Sequence, residues 1–503
     1  MQHISLKPFL PGYNTRMTVL PNGLTVVTEN IPNARSVGMT VKMYSGAALA
    51  AAGKHGAPHI LEHILAGQDV DQDGVSLLDR FCEQHGYSRP NASNSAYINT
   101  YGLGARGQPQ RVRPEHAVWY MERLLTELMD PGFIQSQFEK EKTAIREELY
   151  TRIRAANYST KILWDRIFKT ASGIKQFWLG RQELTDLAEL DGIKLDDVIA
   201  HHANHYGPNR AYVFMAGAVN HDEVVASIAK HTEKWNPVAP LVRHELQYQP
   251  TEYRCHSMTQ GVASKQVDIE LLFPMLAHSV HDNADLEQVN HHMLARTILA
   301  KAIQQQLRAK EGLVYSAGIA GGNEDIRPIA VALSASCDVE KIPAVAEGFA
   351  QAIEYSLKNA DRLIEEAKRS NNVLYDLLEP ATIGRVEELA ATTLRFGNPI
   401  PLEETRKAVE SFNAAKYGEI IRAVYGQQLS LRVIADWRHM YKVPDTAFFQ
   451  DRIARVVPRL DTDRPVEHVD NLTAARRRIV QAYSGPARMI RVGRNRFAAY
   501  RAS

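Results

Sequence analysis

The sharpest chemical signal in the chain is His59-Ile-Leu-Glu62-His63. On a helix, residues four apart lie one above the other on a single face. His59 and His63 can therefore aim two imidazoles at one point, which is what a zinc ion requires of two of its ligands. Glu62 stands beside that face, within reach of a water in an open coordination position. Without a third ligand, the same residues read as two histidines on a solvated helix.

The segment Gln135–Arg154 offers that third ligand. Phe138, Ile145, Leu149 and Ile153 form the apolar stripe of an amphipathic helix, and Glu141 and Glu148 fall on the stripe, while Glu139 and Glu147 point elsewhere. A carboxylate on the buried side of a helix is costly unless it is paired or bound to metal. Glu141 and Glu148 are the candidates, one as ligand and one as its support. The competing reading is a charged outer face balanced by Lys140, Lys142 and Arg146.

Other residues that could do chemistry carry less. His201 and His205 form a second pair four apart, but no acidic partner sits at a matching position. His291-His292 reads as surface or interface. Cys82, Cys255 and Cys337 lie far apart with no C-x-x-C, as expected of reduced, packed thiols. Arg308 ends a helix, Gly312 suits a left-handed cap and Tyr315 starts a strand. Arg and Tyr are good donors for a carbonyl oxygen, although on their own they read as a surface Arg and an interior Tyr.

The elements that must hold these residues are mixed. An N-terminal arm precedes a strand at Leu24–Glu29 and another at Ser36–Tyr44. There Val37, Met39, Val41 and Met43 alternate with smaller or polar residues, the pattern of a half-buried strand. A helix starts near Ala57-Pro58, and further helices cover Ala117–Met129 and Gln135–Arg154. Tyr212–Gly217 is a strand and Asn220-His-Asp222 opens a helix. Pro237, Pro240 and Pro250 mark a linker. Beyond it the order repeats: strand Val267–Phe273, long helix Leu286–Ala309, strands Leu313–Ile319 and Ile329–Cys337, helices Ile342–Leu357 and Asp361–Leu378, strand Leu429–Ala435. Strands and helices mix without strict β-α-β alternation, which predicts an α+β fold. It consists of two similar domains, each a mixed or antiparallel sheet packed with helices. The expected division is 1–240, a linker at 241–262, a second domain at 263–470, and a tail at 471–503.

The chain has 503 residues, 45% of them hydrophobic and 23% charged, which excludes a disordered or disulfide-framework protein. No apolar run is long enough to span a membrane. The first residues lack the apolar core of a secretory signal, so cytoplasmic residence is expected. The net charge of +2 is uneven: Asn471–Ser503 carries eight arginines and no acidic residue, leaving the rest of the chain net acidic. Such a tail can contact nucleic acid or membranes. Its Ile479, Val480, Tyr483, Met489, Ile490, Phe497 and Tyr500 favour instead an arm packed on protein, and nucleic acid is not the expected partner.

His59–His63 followed by Phe138-Glu-Lys-Glu-Lys-Thr-Ala-Ile-Arg-Glu-Glu-Leu149 resembles the pitrilysin/insulinase family of zinc metallopeptidases, whose mark is H-x-x-E-H. The resemblance is nearest to its two-domain processing-peptidase-like subunits. Leu20-Pro-Asn-Gly-Leu24, Tyr206-Gly-Pro-Asn-Arg210 and Ala216–Asp222 fit the same family, as does Leu307–Ser316 with its Arg…Tyr pair. The resemblance covers roughly residues 17–460, with three departures. The gap from the histidines to Glu148 is long, implying an insertion near Gln68–Gly74 or Gly102–Arg113. The glycine-rich stretch before Arg308 is missing, and the arginine-rich tail has no counterpart.

The resemblance implies one zinc ion per chain held by His59, His63 and Glu148, with Glu141 supporting the site and Glu62 as general base. It implies that Asn91 and Ala92 line the strand to which a peptide substrate adds. It also implies a clam-shell chamber of two facing chains, in which Arg308 and Tyr315 stabilise the oxyanion in the partner's site. A homodimer is the simplest such assembly, and a heterodimer the variant. The implied activity is endopeptidase cleavage of peptides or unfolded segments. The rival readings are a non-catalytic scaffold subunit of a heteromeric processing complex, or a peptidase dedicated to one precursor or leader peptide.

Overall fold

The computed structural model describes residues 1–65, 76–154, 167–170, 183–243, 246–256, 265–275, 285–310, 312–325, 327–376, 382–460, 465–470, 487–491 and 497–501. The first sheet takes β1 (Gln2–Ser5), β2 (Asn14–Val19), β3 (Thr25–Asn30), β4 (Val37–Tyr44), β5 (Asn91–Ser93), β6 (Ile98–Leu103) and β7 (Gln110–Val112). A short β8 (Phe168–Thr170) stands apart, and β9 (Ala211–Gly217) completes the sheet in the order β1-β2-β3-β9-β4-β6-β5, with β7 on β4. β10 (Leu246–Tyr248) pairs with β8. The second sheet contains β11 (Thr251–His256), β12 (Gln266–Pro274), β13 (Ser316–Glu324), β14 (Arg327–Asp338), β15 (Ser430–Ala435) and β16 (Glu467–Asp470), ordered β13-β14-β12-β15-β11-β16. In the arginine-rich tail, β17 (Ala487–Arg491) and β18 (Phe497–Arg501) pair as antiparallel strands.

The helices that matter for the first half are α1 (Ala57–Leu65), α2 (Leu77–His85), α3 (Pro114–Met129), α4 (Gln135–Arg154), α5 (Glu183–Leu190), α6 (Leu195–His205) and α7 (His221–His231). Those of the second half include α8 (Leu286–Ile303), α9 (Ile342–Lys358), α10 (Ala360–Asp376) and α11 (Thr382–Phe396). The fold is α+β, as the irregular strand–helix order predicts. The two sheets are built alike. The path β3-β9-β4-β6-β5 and the path β11-β15-β12-β14-β13 share the same order, each with one parallel pair followed by three antiparallel ones. Each path ends on an edge strand, β5 in the first half and β13 in the second.

Several expectations change in the structure. The linker stretch 241–262 holds β10 and all of β11, and β11 sits inside the second sheet between β15 and β16. Pro250 interrupts helix but leaves Tyr253 and Cys255 to be buried as strand residues. The long helix after Leu286 is α-helical only to Ile303 and continues as a wider π turn over Gln304–Lys310. The alternation in β4 was expected to leave one face wet. Both faces are buried instead, because α11 lies across the face that carries Gly38 and Thr40. A Cβ on Gly38 would come 2.7 Å from the Thr382 carbonyl oxygen, so a glycine here lets the helix start seat directly on the strand. The insertion expected near Gln68–Gly74 lies outside the described residues.

α11 belongs to the second half in sequence but packs on the first sheet. Val386, Leu389, Ala390 and Leu394 share a core with Met17, Val27, Phe214 and Ala216. At its centre Arg385 donates to Glu29 from Nε at 2.6 Å and Nη2 at 3.0 Å, and Thr15 donates to the same carboxylate at 2.8 Å. Glu29 is fully buried and Arg385 is nearly so. The guanidinium lies 3.3 Å from the ring centre of Phe9, which the N-terminal arm brings over it. Removing one partner of such a pair strands a buried charge. Arg385→Met is therefore expected to lower folding stability by about 3–5 kcal/mol, read as an earlier urea midpoint, and Glu29→Gln in the same chain to recover part of the loss.

Candidate metal centre

α1 and α4 meet as packed neighbours. α1 begins with Ala57-Pro58, the proline at a position where its missing N–H costs nothing, and buries Ile60, Leu61, Ile64 and Leu65. α4 buries Phe138, Ile145 and Leu149 in the same core. A turn between α5 and α6 anchors both helices. Before α1, Lys54 donates to the Gly192 carbonyl at 2.7 Å and to Asp197 at 2.8 Å, and His55 faces Glu189 at 3.2 Å. From α4, buried Lys142 donates to the carbonyls of Asp191 and Ile193, and Arg146 pairs with Asp191. The two helices are thus clamped to one short segment.

That clamp brings the site side chains together. His59 Nε2 lies 3.3 Å and His63 Nε2 3.6 Å from Glu148 Oε2. Among the described residues, His59, His63 and Glu148 form the one group of three His, Cys, Asp or Glu whose ligand atoms could share a metal ion, all within 4.8 Å of one another. Ligands bonded to tetrahedral zinc at about 2.0–2.1 Å sit about 3.3 Å apart, and two imidazoles with one carboxylate leave a fourth position open. Donor set and spacing both fit zinc. On the far side of His63, Nδ1 donates to Glu141 Oε2 at 3.2 Å, which fixes the ring and turns Nε2 towards Glu148. Glu141 and Glu148 lie on the sheltered flank of α4, while Glu139 and Glu147 are exposed.

The electrostatics follow from burial and from these neighbours. Burial disfavours the His63 imidazolium, but the carboxylates of Glu148 and Glu141 outweigh it and raise the pKa above the usual histidine value. Burial raises the Glu62 carboxyl above the usual range, against the opposing pull of His59, His63 and the Asn94 backbone N–H, which donates to it. Asn94 follows β5, so Glu62 stands between the histidines and the edge of the first sheet. On that edge Asn91 is exposed, its side-chain oxygen accepting from the Ala92 N–H at 2.8 Å, and Ala92 is half-buried with a bulge between the two.

The remaining sequence candidates lie elsewhere. Arg308 is exposed on the π turn of the second half, and Gly312 after it takes φ +59°. Tyr315, expected as an interior residue on its own pattern, is 61% exposed. Its hydroxyl donates to Asp338 at 3.3 Å, and that carboxylate raises the phenol pKa. His201 donates to the Ser45 carbonyl at 2.9 Å, and burial lowers its pKa to about 3, so it serves the core as a neutral ring. The three cysteines are buried, and burial pushes the Cys82 and Cys337 thiols up to about 12. The Asn94 contact and the α5–α6 anchor escaped the sequence reading. Neither has a local pattern, although an isolated buried-side Lys142 was a signal that α4 must meet an acceptor.

The family described as "Peptidase M16 inactive domain" matches residues 192–371, which lie outside the His59–Glu148 set and reach from α6 into the second half. A probable mitochondrial-processing peptidase subunit beta of Arabidopsis thaliana is 26% identical over 46% of this chain and 42% of its own length. The chain thus spans less than half the length of the first processing-peptidase relatives it matches. A Rickettsia bellii protein named "Uncharacterized zinc protease" is 21% identical over 84% of this chain and 97% of that protein. In fold, a protease from Helicobacter pylori matches with a TM-score of 0.65 at 16% identity, covering 84% of this chain and 99% of that one. In sequence and in fold the chain is thus similar to pitrilysin-type, M16-like peptidases.

Proposed function

We propose that the chain is a zinc-dependent endopeptidase acting on peptides or unfolded segments laid along β5. The observation that carries this reading is the convergence of His59 and His63 on Glu148, with Glu62 between them and a sheet edge. His59, His63 and Glu148 would hold zinc, which supplies a Lewis acid and lowers the pKa of water. Glu62, whose burial raises its basicity, accepts a proton on its carboxylate and returns it to the leaving amine. Glu141 keeps the His63 ring oriented through Nδ1. β5 offers backbone pairing to an extended peptide, giving affinity with little sequence reading. The zinc-protease names of the relatives support the class.

Arg308 and Tyr315 are exposed on the second half. We read them as oxyanion donors supplied to the site of a second chain, in a homodimer or with a related subunit. The subunit names of the processing-peptidase relatives favour a second reading, in which this chain works inside a heteromeric complex.

Three outcomes follow. Glu141→Gln retains zinc but weakens its affinity about 10–100-fold, measured by competition with a chromophoric chelator, whereas His63→Ala and Glu148→Gln abolish stoichiometric binding. Against a pool of unstructured peptides followed by mass spectrometry, Glu62→Gln lowers turnover about 10²–10⁴-fold with zinc content unchanged; a zinc-loaded parent that cleaves nothing alone contradicts self-sufficient catalysis. Mixing and reassociating the separately inactive Glu62→Gln and Tyr315→Phe chains restores cleavage if Tyr315 acts across a homodimer, and restores none if it does not.

A further inference from the structure

The second half of the chain also reaches the first half's site. The β13–β14 hairpin turns at Asp325, which adopts φ +53°. Glycine is the usual residue at such a left-handed position; Asp is tolerated there, and it brings a carboxylate. One oxygen accepts from the Ser95 hydroxyl and the other from the Tyr97 backbone N–H at 2.8 Å. The Ile98 N–H and the charge of Arg243 also favour the ionised group, although burial raises its pKa overall. The Arg243 guanidinium lies 4.8 Å from the Tyr97 ring centre. Arg243 belongs to the connection between the halves, so both the connection and the second half converge on residues 95–98.

This turn is bound on two sides. On one, the N–H groups of Gly46, Ala47 and Ala48 donate to the carbonyls of Tyr97, Ser95 and Ala96 at 3.0, 2.9 and 2.7 Å. A Cβ at Gly46 would meet the Ser95 and Ala96 carbonyl oxygens at 2.5 Å, so the approach is as close as backbone allows. Those bonds use the turn's acceptors. Two of its donors, the Ser95 hydroxyl and the Tyr97 N–H, go to Asp325, while the Ser95 N–H goes to Asn99 Oδ1 at 3.1 Å. The turn follows β5 directly and contains Asn94, whose N–H donates to Glu62 and whose side-chain Nδ2 is buried with no hydrogen-bond partner among the described residues.

We propose that Asp325 is a positioning residue that fixes the peptide-binding edge of the first half, so that the substrate groove is complete only when the second half of the same chain is docked on it. The proposal rests on the peptidase reading of the site. By holding residues 95–97, Asp325 sets the reach of β5 and the placement of Asn94 beside Glu62. The half remote from the metal ligands thus acts on peptide affinity.

The test uses full-length Glu62→Gln protein and a fluorescein-labelled pool of casein peptides, with binding read by anisotropy. Asp325→Gly keeps the left-handed turn and removes both acceptors. It is expected to weaken peptide binding about tenfold, with zinc content unchanged and amide hydrogen exchange accelerated across residues 91–98 alone. Ser95→Ala combined with Asp325→Gly should weaken binding no further than Asp325→Gly by itself, because the two groups act as one contact. Unchanged exchange at 91–98, affinity within twofold of the parent, or exchange accelerated throughout both sheets would each overturn the proposal, the last by marking a purely structural role. A zinc-loaded parent that binds none of the peptides counts against the peptidase reading and equally overturns a role for Asp325 in peptide affinity, while the exchange data still report whether the clamp exists.

Discussion

The turn from Glu189 to Asp197 grips both helices of the metal centre, and the site depends on that shared grip. Lys54 and His55 tie the start of α1 to it, and Lys142 and Arg146 tie α4 to it. Two helices packed only through apolar stripes can slide by fractions of a turn, because ridges and grooves repeat. Charged hydrogen bonds to fixed carbonyls do not repeat, so they select one register. In that register Glu148 faces both histidines and Glu141 faces the back of His63. The residues proposed for the chemistry, His59, Glu62, His63 and Glu148, occupy four positions on two helices, and those that aim them are spread over the neighbouring turn.

The electrostatics explain why so many carboxylates tolerate this place. Glu62, Glu141 and Glu148 all lie close to the two histidines, and the charge of Glu148 adds to the cost of ionising buried Glu62. The two histidines offset part of that cost, and a divalent cation would offset far more. Glu62 differs in kind from the other two. It carries a raised pKa from burial, and a single backbone N–H from Asn94 orients it. A proton-transfer group should look like this, whereas Glu141, committed to His63, should not.

What was legible in the sequence was local. The His59–His63 spacing and the two faces of α4 need only helical periodicity, and both sit where that periodicity places them. The repeat of strand and helix order after residue 262 likewise foreshadowed two sheets with a common path. The parts that stayed hidden depend on contacts between distant residues. Gly38 and Thr40 read as the wet face of β4 because nothing nearby says that α11, more than 300 residues later, lies on them. Prolines between 237 and 250 read as a linker because they exclude helix, yet an edge or a strand start accepts them. Lys142 belongs to the charged-face reading of α4, and no local pattern marks Arg385 or Asp325; the fold shows that each satisfies a group on another element.

The duplicated sheet path gives each half an edge strand, and among the described residues a cluster of histidines with a glutamate that could share a metal ion stands in the first half. The matched family domain, described as inactive, covers much of the second half, in keeping with that division. The central claim is that His59, His63 and Glu148 form a zinc centre with one open position. Zinc K-edge X-ray absorption on the purified chain tests it most directly. The account predicts a four-coordinate shell of nitrogen and oxygen at about 2.0–2.1 Å, with the outer-shell signature of two imidazoles. Sulfur ligands at about 2.3 Å, a shell without imidazole, or a correctly folded chain that retains no zinc would contradict it.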